Sequence, residues 1–172
     1  MGEGLPGSAS RVYVGVGSNL GHRMENCLKA IDAVDGLPGC DVTNRSRFYR
    51  TEPVGVEDQD WYVNGVICLR TDMDAQAFLQ ALLAIETAMG RERKKRWDSR
   101  VIDLDILLFK GRVIREADLE IPHPLMHLRR FVLAPMVELA PEEVHPLMAR
   151  TMAQLLEALP DQGQAVFPLG EA

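Results

Sequence analysis

Two carboxylates set one residue apart carry the first chemical signal in this chain. The run Ile102-Asp103-Leu104-Asp105-Ile106-Leu107-Leu108-Phe109 begins with strict alternation of apolar and acidic residues, the pattern of a strand whose side chains project to opposite faces in turn. Ile102, Leu104, Ile106 and Leu108 are expected on one face, and Asp103 and Asp105 on the other, about 7 Å apart along the strand. Acids that close repel unless a cation bridges them or one keeps its proton; a solvated edge strand is the plain alternative. The preceding ten residues hold Arg91, Arg93, Lys94, Lys95, Arg96 and Arg100 against Glu92 and Asp98. That segment carries +4, while the remainder carries −10 of a net charge of −6. A basic loop running into paired acids suits a metal–polyphosphate complex. The acids would hold Mg²⁺, which favours oxygen ligands and is commonly bound through one or two carboxylates plus substrate phosphates. The loop cations would meet the remaining phosphate oxygens, arginine with two-pronged contacts.

Other chemistries find little support. No G-x-x-x-x-G-K-[ST] run occurs, and Gly15-Val-Gly17-Ser-Asn-Leu-Gly21 places its last glycine one residue late for a dinucleotide fingerprint. These glycines suit a close backbone turn or contact instead. His123, His127 and His145 are too scattered for a zinc site, and Gly17-Ser18-Asn19 is not a nucleophile elbow. A sequence pI near 5.2 disfavours a nucleic-acid backbone binder. Three cysteines, Cys27, Cys40 and Cys68, form no C-x-x-C pair and read as small buried hydrophobes of a reducing, cytoplasmic compartment. No uninterrupted apolar run reaches the ~18 residues of a membrane span, and Met1–Pro6 has neither a secretory nor a myristoylation pattern. With 172 residues and 47% hydrophobic content, a single domain with its own core is expected.

The elements that must carry the acids follow from periodicity. Residues 1–10 read as a flexible leader, 11–160 as one domain and 161–172 as a short C-terminal tail. Val12, Val14 and Val16 mark a first strand, and Met24, Cys27, Leu28, Ile31 and Val34 recur at helical spacing. A β-prone stretch covers 40–50, a turn-rich loop 51–60 and a strand 63–71. The spacing predicts a helix over 74–89, opened by Asp74 and closed by Gly90. A strand over 101–109, a hairpin-like segment to Ile121, and helices over 128–139 and 151–159 complete the chain. Phe48, Phe78, Phe109 and Tyr13 are assigned to the core. The order β-α-β-β-α-β predicts an α+β, ferredoxin-like βαββαβ core: a mainly antiparallel sheet with helices packed on it, plus C-terminal helices.

Over residues 11–160 the sequence resembles the 6-hydroxymethyl-7,8-dihydropterin pyrophosphokinases of folate biosynthesis. The resemblance rests on Tyr13-Val-Gly-Val-Gly-Ser-Asn-Leu-Gly21, Phe48-Tyr-Arg-Thr-Glu-Pro-Val-Gly55, Asp58-Gln-Asp-Trp-Tyr-Val-Asn64, Ile85-Glu86, Gly90-Arg91, Arg96-Trp-Asp-Ser-Arg-Val-Ile-Asp-Leu-Asp-Ile106, Ile121-Pro-His-Pro124 and Arg129-Arg-Phe131. It implies transfer of a diphosphate group from ATP to the hydroxymethyl oxygen of the reduced pterin, with release of AMP. By the same resemblance Asp103 and Asp105 are ligands of two Mg²⁺ ions, and Arg91 and Arg100 are catalytic grips on the phosphates. Glu86, Arg93, Lys94, Trp97, Ile106, His123 and Arg129 belong to the ATP site. The pterin site takes Tyr62 and Phe131 as its stacking pair, Asn64 as its edge reader, Thr51, Val54 and Gly55 as loop lining, and Trp97 as a closing aromatic. No side-chain general base is evident. The implied partners are small molecules, ATP and the pterin, with no nucleic acid or membrane; the oligomeric state is open and a monomer is compatible with it.

The sequence departs from the family pattern at Asp98-Ser99, where a small pair containing glycine is usual, at Leu83, where a glutamine is frequent, and at Pro124, where some members have tyrosine. A catalytically impaired nucleotide- or pterin-binding relative therefore stands beside the enzyme reading, as does a kinase that moves a single phosphoryl group.

Overall fold

The computed structural model describes residues 11–53, 61–90, 101–160 and 163–169. Strand β1 (Arg11–Ser18) leads into helix α1 (Arg23–Asp35). The β-prone stretch divides into β2 (Cys40–Arg45) and β3 (Tyr49–Thr51), and β4 (Tyr62–Thr71) follows. Helix α2 (Ala75–Ala88) returns the chain to the edge strand β5 (Asp103–Phe109). The main sheet runs β5-β1-β4-β3 and ends on a last strand, β8 (Val166–Pro168), with β2 also paired to β4, and each pairing is antiparallel. This is the ferredoxin-like α+β arrangement, with β2 and β3 sharing the place of one strand.

Local chemistry accounts for α2. Asp74 caps it by accepting the Ala77 N–H at 2.8 Å, which satisfies one of the amide groups left over at a helix start. Gly90 follows its end at φ +95°, a conformation glycine adopts without strain. Phe78, Leu82 and Ile85, at helical spacing, point into the core. Phe78 and Leu82 are fully buried, and burial of side chains this size contributes roughly 1.5–3 kcal/mol each.

The sheet separates two apolar layers. On one face, Val12, Val14 and Val16 meet Cys27, Ile31, Val34, Phe78 and Leu82 from α1 and α2. On the other, Tyr13, Val66 and Cys68 meet Val132, Leu133 and Met136 of α3 (Arg130–Leu139) and Met152 and Leu155 of α4 (Met152–Glu157). Between β5 and α3 lie a small hairpin, β6 (Ile114–Glu116) and β7 (Leu119–Ile121), and a single 3₁₀ turn, Met126–Leu128. The hairpin was expected; the helix expected over 128–139 is divided at Arg129. Among the described residues no helix is long and apolar enough to cross a membrane.

Two features depart from the sequence reading. Leu108 does not share a face with Ile106: it joins Leu107 in the α3–α4 layer, while Phe109 returns to the α1–α2 layer. The cause is a β-bulge. Val14 pairs with Ile106 and Tyr13 with Leu108, so Leu107 is an extra residue on β5 that inverts the alternation beyond it. In the segment read as a tail, Val166–Pro168 forms β8, which pairs with β3. Ala165 N–H bonds the Glu52 carboxylate, and Leu169 N–H bonds the Phe48 carbonyl.

Candidate active site

The two acids lie where β5 begins. Their registers identify the face: Asp103 pairs with Gly17 and Asp105 with Gly15 across β1, and these glycines pair with Asn64 and Val66 across β4. Tyr49 in turn pairs with Asn64, and Thr51 with Tyr62. Directly opposed residues share a face of a sheet, so Asp103, Asp105, Gly15, Gly17, Asn64, Tyr62 and Thr51 lie on one side. It is the side covered by α3 through Val66. Asp103 is half-buried and Asp105 exposed, so that cover stops short of the acids.

Gly15 and Gly17 leave the strip between the acids and Asn64 without side chains. At Gly17 an added Cβ would stand 2.2 Å from Asn64 Oδ1, so any side chain there requires the Asn64 amide to move. The Asn64 amide leans over that bare backbone, with the Tyr62 ring beside it, 3.7 Å from the same point. Its orientation is held from behind: Asn64 Nδ2 donates to Thr51 Oγ1 at 2.7 Å, with Thr51 fully enclosed. Asn64 Oδ1 is thereby aimed across the glycine strip as an acceptor, next to an aromatic face. Gly15 and Gly17, within the Tyr13–Gly21 motif, were expected to allow a close backbone contact, and the Asn64 amide over Gly17 is one. Their spacing of two on a strand puts both on one face.

A second group comes from the segment after β7. The carbonyl of Leu107, the bulge residue, accepts the His123 N–H at 3.0 Å, which ties His123 to the strand that carries the acids. His123 Nδ1 accepts the Leu125 N–H at 3.1 Å, so the neutral ring carries its proton on Nε2 and presents a donor there. Burial, and then the nearby Arg129 cation, lower the His123 pKa to about 4, which keeps the ring neutral near pH 7. The Arg129 guanidinium lies over Phe131, 5.5 Å from the ring centroid, and Phe131 packs against the α3–α4 layer that includes Leu107 and Val66.

The predicted residues thus fall into clear groups. Asp103, Asp105, Asn64, Thr51 and Tyr62 share one sheet face; His123, Arg129 and Phe131 form a linked set beside it. Ile106 is instead buried in the α1–α2 layer. Glu86 is 3% exposed on α2 and accepts the Leu104 N–H at 2.8 Å. Val54, Gly55, Arg91, Arg93, Lys94, Trp97 and Arg100 lie outside the described residues.

The family description 7,8-dihydro-6-hydroxymethylpterin-pyrophosphokinase (HPPK) matches residues 13–141. The chain belongs to this family. It is 42% identical over 158 residues to the 2-amino-4-hydroxy-6-hydroxymethyldihydropteridine pyrophosphokinase of Pseudomonas aeruginosa, covering 92% of this chain and 97% of that one. The enzyme of the same name from Methylorubrum extorquens is 37% identical over 154 residues, covering 90% and 96%. Among solved structures, an HPPK-DHPS in complex with substrates superposes with a TM-score of 0.69 at 15% identity, which bears on the fold. That match covers 87% of this chain and 43% of the other; the chain spans less than half of the HPPK-DHPS protein. Within the pyrophosphokinase family, then, the glycine strip, the acids at the head of β5 and the His123–Arg129–Phe131 group form the candidate active site.

Proposed function

We propose that the chain performs its family's reaction at this site: diphosphate passes from ATP to the hydroxymethyl oxygen of 6-hydroxymethyl-7,8-dihydropterin, and AMP leaves. The observation that carries the site assignment is the shared face of Asp103, Asp105 and Asn64, with bare backbone between them. A flat bicyclic ligand needs an aromatic surface and a few directed polar groups. Tyr62 and Phe131 supply the surfaces; Asn64, oriented by Thr51, supplies the polar edge.

The acids suit Mg²⁺. They are hard oxygen donors on one face, and Mg²⁺ is commonly bound through one or two carboxylates plus substrate phosphates. Asp103 and Asp105 would hold it, and when bound it supplies charge neutralisation along the triphosphate. His123 offers an Nε2–H to a nucleotide oxygen, and Arg129 offers a cation within reach of Phe131. Arg91, Arg93, Lys94 and Arg100 supply further cations for the phosphates. With Nε2 protonated and Nδ1 engaged, His123 is a donor and not a base. Catalysis by positioning and electrostatics is what phosphoryl transfer chiefly requires.

The test is product analysis with ATP, Mg²⁺ and the reduced pterin. AMP and the pterin diphosphate are expected, with turnover abolished by EDTA and restored by added Mg²⁺. Release of ADP would favour a single-phosphoryl kinase; saturable binding without product would favour an impaired relative. Asp103→Asn and Asp105→Asn should each lower turnover about 100-fold or more while far-UV circular dichroism stays unchanged. Full activity in either variant overturns the metal assignment.

A further inference from the structure

We infer that Glu86 is a positioning residue that sets the direction of both acids through the backbone between them, an inference that rests on the reading of Asp103 and Asp105 as metal carboxylates. Among the described residues, strand β5 is terminal in the sheet and pairs with β1. The outward-facing amide of Leu104 has no neighbouring strand among those residues to receive it. Glu86, from the last turns of α2, reaches across and takes that N–H at 2.8 Å, itself only 3% exposed. The Leu104 side chain is 5% exposed and lodged in the α1–α2 core. The residue between the acids is thus held twice, by its side chain and by its amide.

The peptide planes on either side of Leu104 connect directly to Asp103 and Asp105. Rotation of either plane would swing one carboxylate relative to the other. An edge strand is otherwise free to twist and fray on its outer side, because half of its backbone groups have no ladder partner. A buried carboxylate acceptor makes a charge-assisted bond, shorter and roughly twice as strong as a neutral one. Groups that orient metal ligands from behind in this way typically change metal affinity about 10–100-fold when they are removed.

Two readouts on the full chain test this: Mn²⁺ binding without pterin, measured both alone and with a non-hydrolysable ATP analogue and followed by electron paramagnetic resonance, and hydrogen exchange at the Leu104 amide, followed by NMR. For Glu86→Ala, Mn²⁺ affinity should fall about 10-fold or more and Leu104 exchange should accelerate, while Ile67 and Leu69 in the centre of the sheet stay protected. Glu86→Gln, which keeps an acceptor oxygen at the same reach, should preserve Leu104 protection and most of the Mn²⁺ affinity. If Glu86→Ala does not fold, Glu86→Asp serves instead, since it keeps the charge but shortens the reach and should likewise expose the Leu104 amide. Unchanged Mn²⁺ binding in Glu86→Ala, or in Glu86→Asp where that variant is used, defeats the role of Glu86 alone. Loss of Mn²⁺ binding in Glu86→Gln with Leu104 still protected shows that charge and not positioning is at work, and also overturns it. Wild-type protein that takes up no Mn²⁺ defeats the metal reading, and with it the role given to Glu86.

Discussion

Gly17→Ala tests the bare strip most directly, because the strand backbone accepts alanine and only the space is contested. The new Cβ would lie 2.2 Å from Asn64 Oδ1 and 3.3 Å from its Cγ. No real Cβ contact is that short, so the Asn64 amide must turn away and release its 2.7 Å bond to Thr51. A buried hydroxyl that loses its partner costs about 1–3 kcal/mol, and a displaced rotamer adds about 0.5–1.5 kcal/mol. Replacing glycine offsets some of this, by about 0.4–1 kcal/mol, through the unfolded chain. The net loss should be about 1–3 kcal/mol, seen as a fall in Tm of roughly 2–10 °C for a domain this size. Pterin affinity, read by fluorescence or calorimetry, should fall about tenfold or more, the equivalent of one lost directed hydrogen bond. Asn64→Ala removes both the obstacle and the reader. Adding Gly17→Ala to Asn64→Ala should therefore cost much less than it does in the wild type, a strongly non-additive cycle. Additive losses, or a Gly17→Ala protein with wild-type Tm and pterin binding, would refute the packing of Asn64 over Gly17 as the reason for the glycine.

Three further outcomes are expected. His123 is held neutral in the fold, its pKa lowered to about 4 by burial and Arg129, whereas in the unfolded chain it takes a proton near pH 6.5. The unfolded state therefore binds more protons between those values, and urea-derived stability should fall as pH drops from about 6.5 towards 4, by up to about 3 kcal/mol from this group. His123→Asn should flatten that slope, and an unchanged slope would count against it. Glu138 accepts from the Arg47 backbone at 2.7 Å and the Tyr49 hydroxyl at 2.7 Å, tying α3 to the β2–β3 bend; Glu138→Ala should destabilise by about 1–3 kcal/mol in urea titration. Phe78→Ala, at a fully buried position, should cost about 3–5 kcal/mol by the same measurement.

Much of the architecture was legible because the local signals agreed. Asp74, the 78-82-85 spacing and Gly90 delimit α2 without reference to any other element, and Asp103 and Asp105 share a face as their spacing of two requires. What escaped the sequence depends on distant partners. Ile106 to Phe109 is uniformly apolar, so nothing in it marks where alternation stops; the bulge is visible only against Tyr13 and Val14. Strand β8 ends in Pro168 and is too short to announce itself, and it exists because β3 offers an open edge. Gly17 and Asn64 are far apart in sequence, and the need for glycine at one arises from the amide at the other. The acids, Asn64 and Tyr62 could be named from motifs, but their common floor required the register.

The bulge at Leu107 also bears on how the chain can tolerate change. Upstream of it, β5 obeys one parity and aims its acids; downstream, the opposite parity lodges Phe109 beneath α2 and Leu108 beneath α3. Drift in the filling of either apolar layer at the far end therefore need not steer the carboxylates. Deleting a single residue there would merge the two parities and, in the same stroke, take away the carbonyl that tethers His123. Gradual repacking is open to such a strand, whereas a change of length at this point is not.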